Sequence, residues 1–138
     1  MHDPRLFSAR ILAVDDEEPN LRVLRRHLVR AGFQAVDTTP DPTEALRRVT
    51  ADPPDLLVLD LNMPGLDGYT LLERIRPQLE AGRGPAVLVL SGEAAATSRQ
   101  RVIDAGAGDF VSKPYDAADL VSRILALLLT HDGFRSDD

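Results

Sequence analysis

The chain contains no Cys and no Trp. Without cysteine there is no disulfide framework, no thiolate nucleophile and no Cys-ligated zinc. His occurs only at positions 2, 27 and 131, without the spacing of a metal site. Aromatics make up 4% of residues, too few to build a stacking platform for bases. Sixteen Lys and Arg stand against 22 Asp and Glu, a formal net charge of −6. That acidic balance argues against direct nucleic-acid binding. The longest apolar runs are five or six residues, far short of a membrane span. The N-terminus lacks the charged start and apolar stretch of a secretory signal, so a cytoplasmic globular domain is the expectation.

Lysine is the next scarcity. Of the 16 basic residues only Lys113 is a lysine. Lys carries a compact point charge on a flexible stem, a role that Arg fills poorly.

What is present suffices for one domain: 138 residues, 43% of them hydrophobic. Residues 1–8 and 131–138 read as tails, the latter also as the start of a linker, around a domain at 9–130. Between them short apolar runs alternate with helical patterns. Strands are expected at Ile11–Val14, Phe33–Thr38, Leu56–Leu59, Ala86–Leu90 and Phe110–Val111. Helices are expected at Pro19–Ala31, Pro42–Ala51, Gly68–Leu79, Glu93–Ala105 and from Asp116 to Thr130. Pro77 is expected to end or kink the third helix. The fold class is therefore α/β, a (βα)5 three-layer sandwich around a parallel sheet.

In such a sheet, binding sites form at the carboxyl ends of the strands. The first strand ends in Asp15-Asp16, the third in Asp60, the fourth in Ser91 and the fifth in Lys113-Pro114. Three carboxylates, a hydroxyl and an ammonium would converge there. Carboxylates that close repel one another unless a cation intervenes. A few carboxylates, a backbone carbonyl and waters suit Mg²⁺, with Mn²⁺ as a substitute, better than a Ca²⁺ cage. A divalent cation beside a carboxylate, a lysine and a hydroxyl makes a site for phosphoryl transfer, with the carboxylate as nucleophile. Each residue alone has a plainer reading. Asp15-Asp16 suits a helix N-terminus, Asp60 a turn, Ser91 a helix cap, Lys113 the surface and Phe110 the core.

Five segments in order carry a resemblance: Ile11-Leu-Ala-Val-Asp15-Asp16-Glu17, Leu59-Asp60-Leu-Asn62-Met-Pro64-Gly-Leu-Asp-Gly68, Leu90-Ser91-Gly92, Gly106-Ala-Gly-Asp109-Phe110-Val-Ser112 and Lys113-Pro114. Together they resemble the receiver domain of bacterial two-component response regulators, over about residues 9–130. The resemblance implies a flavodoxin-like sheet of order 2-1-3-4-5. It implies Asp60 as phosphoacceptor, with a histidine kinase or phosphotransfer protein as donor. Asp15, Asp16, Asp60 and the backbone carbonyl of Asn62 would then hold Mg²⁺, Asp15 through a metal-bound water. Lys113 would pair with Asp60 and the phosphoryl oxygens. Ser91 would move to the phosphoryl group, and Phe110 would turn inward after it. Pro114 would follow a cis peptide. Asn62 and Glu93 would tune the lifetime of the acyl phosphate.

Two surfaces follow from the same resemblance. Arg22, Arg25, Arg26 and Arg30 on the first helix would meet the phosphodonor. The plainer alternative is a solvated face paired with Glu17 and Glu18. The fourth helix, fifth strand and fifth helix would form the output face and a homodimer contact, with Arg99, Asp109, Asp119 and Arg123 as its charges. Eight of the ten residues Leu120–Leu129 are apolar, more than a surface helix needs, so a second subunit or a following domain is expected over part of that helix.

The rival readings are a Mg²⁺-dependent aspartyl-phosphate phosphatase of haloacid-dehalogenase type, an FMN carrier and a phosphate-independent interaction domain. Leu59-Asp60-Leu-Asn62 matches the phosphatase motif only loosely. The aromatics that would sandwich a flavin are lacking.

Overall fold

The structure is a computed structural model, and it describes residues 4–61, 67–92 and 96–131. Among these residues are five strands: β1 (Arg10–Val14), β2 (Ala35–Thr39), β3 (Leu56–Asp60), β4 (Ala86–Ser91) and β5 (Asp109–Ser112). They form one parallel sheet in the order β2-β1-β3-β4-β5. Five α-helices connect and cover them: α1 (Glu18–Ala31), α2 (Pro42–Ala51), α3 (Gly68–Glu80), α4 (Ala96–Asp104) and α5 (Ala117–Thr130).

The inner strands β1, β3 and β4 are apolar at every position but one end residue each, because both faces of the sheet are covered there; the edge strand β2 carries Asp37, Thr38 and Thr39. Successive side chains take opposite sides. Ile11, Ala13, Leu56, Val58, Leu88 and Leu90 pack against Leu21, Leu24 and Leu28 of α1 and Leu120, Ile124 and Leu128 of α5. Their neighbours Leu12, Val14, Leu57, Leu59, Val87 and Val89 pack with Ala45, Val49, Leu71, Leu72, Ile75 and Val102 on the other side. Helices therefore divide two and three between the faces. The strand order reverses between β1 and β3, which opens a crevice at their carboxyl ends.

Local signals place the helix ends. Asp41, Asp67 and Asp116 cap α2, α3 and α5 by accepting from the backbone N–H of Thr43, Thr70 and Asp119. Gly32, at φ +113°, closes α1 in a conformation that side chains avoid. Pro77 does not stop α3, which runs three residues further to Glu80. Its place in the last turn costs only one intrahelical bond at an end that frays in any case.

One expectation changes, and another is accounted for in part within the chain, Leu129 of α5 staying half-exposed. Residues 4–8 were expected within a tail, yet Pro4–Ser8 form a 3-10 turn whose Leu6 is only 1% exposed in the α1/α5 core. Phe7 packs on the Phe33 ring at 5.1 Å, and its carbonyl accepts from the Gln34 N–H. The apolar breadth of α5 also has a cause inside the chain. Leu120, Ile124, Leu125 and Leu128 are buried in the same core as Leu6, and Leu127 lies against Gly108, just before β5.

Candidate functional site

Four strands bring polar groups to one edge. Asp15 follows β1 directly, Asp60 and Ser91 end β3 and β4, and Lys113 follows β5. Backbone hydrogen bonds fix these ends: Asp15 N–H to the Thr39 carbonyl at 3.4 Å, Leu61 N–H to Leu90 at 3.2 Å and Lys113 N–H to Ser91 at 2.8 Å. Asp60 sits opposite Leu90 in register and Ser91 opposite Ser112. Such a ladder holds side chains on rigid elements, as precise chemistry requires.

Asp15, Asp60 and Ser91 are buried and Asp16 is half-buried. One oxygen from each of Asp15, Asp16 and Asp60 lies within 4.8 Å of the others. Lys113 Nζ donates to Asp60 Oδ1 at 3.2 Å and lies 3.5 Å from Asp15 Oδ2. One ammonium thus faces three carboxylates, and the excess negative charge suits a divalent cation. The Asp15 carboxylate also accepts from the Glu17 N–H at 3.0 Å, which orients it toward the pocket from the start of α1. Asp16 therefore joins the cluster, and Asp15 doubles as a local turn acceptor.

The Lys113–Pro114 peptide is cis. Phe110 is buried within the α2/α3/α4 core. Asn62, Pro64 and Glu93 lie outside the described residues.

The four charges expected on the output face meet within one chain. Arg123 donates to the Asp109 carboxylate at 3.0 and 3.1 Å and to Asp119 at 3.0 Å, and Arg99 lies 3.8 Å from Asp109. The Asp109 hydrogen bond, then that of Asp119, raises the Arg123 pKa. On α1, Arg22, Arg26 and Arg30 are exposed and make no ion pair among the described residues. Arg25 instead donates to the Val36 carbonyl at 3.4 Å, on the outer strand of the sheet.

Sequence reasoning missed a second feature beside the site. A cavity of about 290 Å³ between α1 and the Pro114–Tyr115 turn shares Asp15 and Lys113 with the carboxylate cluster. His27 Nδ1 and the Tyr115 hydroxyl close one wall at 3.2 Å, with their rings edge to face at 5.8 Å. Burial raises the Tyr115 pKa. His27 alternates with the apolar stripe of α1, so only the fold reveals its partner 88 residues away.

The fold and this edge define a response-regulator receiver. Residues 11–125 match the family model of the response regulator receiver domain, and the chain belongs to that family. It is 40% identical over 126 residues to the transcriptional regulatory protein PrrA of Mycobacterium tuberculosis, which covers 91% of this chain and 52% of PrrA. It is 41% identical over 119 residues to the response regulator MprA of Mycobacterium leprae, covering 86% of this chain and 50% of MprA. The chain spans about half the length of these curated relatives. Among solved structures it resembles the Vibrio cholerae chemotaxis protein CheY4, with a TM-score of 0.77 and 27% identity over 87% of this chain and 98% of that one. No described helix is long and apolar enough to cross a membrane.

Proposed function

We propose that this domain accepts a phosphoryl group on Asp60 from a phosphohistidine of a kinase or phosphotransfer protein. The observation that carries this reading is the Lys113 ammonium, 3.2 Å from Asp60 and 3.5 Å from Asp15, within a cluster of three carboxylates. Asp60 attacks phosphorus, the bond to the donor nitrogen breaks, and an acyl phosphate forms. Lys113 would exchange its bond with Asp60 for one with a phosphoryl oxygen.

Asp15, Asp16 and Asp60 would hold Mg²⁺, with the Asn62 carbonyl as a further ligand. When bound, Mg²⁺ or Mn²⁺ neutralises charge on the transferred phosphoryl oxygens. Ser91, wholly buried at the end of β4, would meet the phosphoryl group, with Phe110 as its partner in the switch. Asn62 and Glu93 would border the attacking water and set the lifetime. The domain promotes its own phosphorylation and dephosphorylation and turns over no external substrate.

Arg22, Arg26 and Arg30 of α1, exposed and without an ion pair among the described residues, support a phosphodonor docking on that helix. The α4–β5–α5 face would carry the output and a homodimer contact. In that dimer Arg99, Asp109, Asp119 and Arg123 would exchange their present partners for those of a second copy. Such rim pairs give orientation more than affinity.

The test is intact-protein mass after incubation with acetyl phosphate or phosphoramidate and Mg²⁺. The native chain gains one phosphoryl group and Asp60→Asn gains none. A gain that survives Asp60→Asn, or turnover of a phosphomonoester, would contradict the assignment.

A further inference from the structure

α4 is thinly anchored. Of its side chains from Arg99 to Asp104, only Val102 is buried. Little apolar burial leaves the placement of an element to its polar contacts. Among the described side chains of α4, two arginines make such contacts with other elements. Arg99 donates to the Phe110 carbonyl at 3.5 Å, lies 3.8 Å from the Asp109 carboxylate and stands 5.8 Å from the centre of the Phe110 ring. Arg101 places its guanidinium 3.8 Å from the centre of the Tyr69 ring.

Tyr69 is in turn fixed to the acceptor strand. It follows Gly68, whose N–H donates to the Leu61 carbonyl at 3.1 Å. Gly68 lies so close to the acceptor's backbone that a Cβ there would stand 2.6 Å from the Asp60 carbonyl oxygen. The Tyr69 ring packs against the α2/α3/α4 core. A continuous path therefore runs from the Asp60 main chain through Gly68 and Tyr69 to Arg101 on α4. It does not pass through Ser91.

We propose that the Arg101–Tyr69 stack is a positioning pair that holds α4 where Arg99 meets Phe110, and so couples the placement of α4 to occupancy of the Asp60 pocket. The inference rests on the phosphoacceptor reading and extends it to two residues outside the pocket. A contact made in one placement of α4 biases the chain toward that placement. By linkage, a ligand that favours the same placement binds more tightly while the contact exists. The present placement has Phe110 buried, the orientation that phosphorylation favours on this reading. Removing the stack therefore weakens binding of a phosphoryl mimic. A partly exposed cation–π contact sets the size at about two- to fivefold.

The probe is beryllium trifluoride with Mg²⁺, titrated calorimetrically into the full chain. Tyr69→Leu keeps an apolar body without the ring face, Arg101→Gln removes the exposed cation, and Tyr69→Phe keeps the ring. Tyr69→Leu and Arg101→Gln should each raise the Kd about two- to fivefold. The double variant should match the larger single effect, and Tyr69→Phe should match the native chain. An unchanged or lower Kd in either single variant, additive effects in the double, or weakening by Tyr69→Phe would overturn the proposal. Absence of binding by the native chain would overturn the phosphoacceptor reading itself, a separate result.

Discussion

At the scale of the residue, Lys113 shows what one side chain contributes. It is the lone lysine of the chain, and its ammonium touches two of the three clustered carboxylates. A guanidinium is planar and wider, with its charge spread over a fork that does not superimpose on a point charge. Lys113→Arg is expected to slow phosphorylation by acetyl phosphate about 100-fold or more, the order seen when one preorganised donor to a developing charge is lost. A time course of intact mass reads the rate, and an unchanged rate would assign Lys113 a purely structural role. The residue was legible in the sequence because it broke a pattern of arginine. The Arg101–Tyr69 stack was not, since nothing in the periodicity of α3 or α4 aligns one turn of one helix with one turn of another. The same holds for His27 and Tyr115. Each obeys its own helix or turn, and only the packed sheet sets them 3.2 Å apart.

At the scale of the element, the strands and the capped helices were legible because each has a local cause. β3 is apolar from Leu56 to Leu59 because it is central and covered twice, and turns acidic only at its end, Asp60. Asp116 announces α5 by position, and Asp41 and Asp67 cap α2 and α3 in the same way in the structure. The 3-10 turn at Pro4–Ser8 has no such signal. Leu6 and Phe7 form no periodic stripe, and their burial depends on a gap between α1 and α5 that exists only after the sheet has formed. Leu6 fills that gap with 1% of its surface exposed. Leu6→Ala should therefore cost about 2–5 kcal/mol, as for other buried leucines. Urea denaturation would show it as a lower midpoint with an unchanged slope. A cost below about 0.5 kcal/mol, the range of ordinary surface substitutions, would mean that the segment is a tail after all. The breadth of α5 has the same explanation. Its apolar residues face the sheet, the 3-10 turn and Gly108 in succession, so the helix needs no partner to justify most of them.

At the scale of the whole molecule, the site exists only because chain segments far apart in sequence end at one sheet edge. The strand ends were legible one by one; their convergence followed from the parallel topology, and the distances followed from neither. Those distances carry an energetic consequence. Oxygens of Asp15, Asp16 and Asp60 stand within 4.8 Å of one another, and among the described residues Lys113 is the cation in contact with the cluster. The folded chain therefore holds repulsion that the unfolded chain relieves by separating the three groups. A divalent cation bound to the folded state alone removes that penalty and adds binding energy of its own. At 100 times its Kd, Mg²⁺ would stabilise the fold by about 2.7 kcal/mol, or about 10 °C in Tm for a domain of this size. NaCl at equal ionic strength screens the same charges without coordinating them and should raise Tm far less. Asp16→Asn removes one ligand and part of the repulsion together. It should raise Tm in the absence of Mg²⁺ and shrink the further rise that Mg²⁺ produces. Differential scanning calorimetry of both chains in matched Mg²⁺ and Na⁺ buffers separates the two effects. An equal Mg²⁺ response in both chains would mean that the cluster is screened rather than occupied, and the metal would then have to be sought elsewhere.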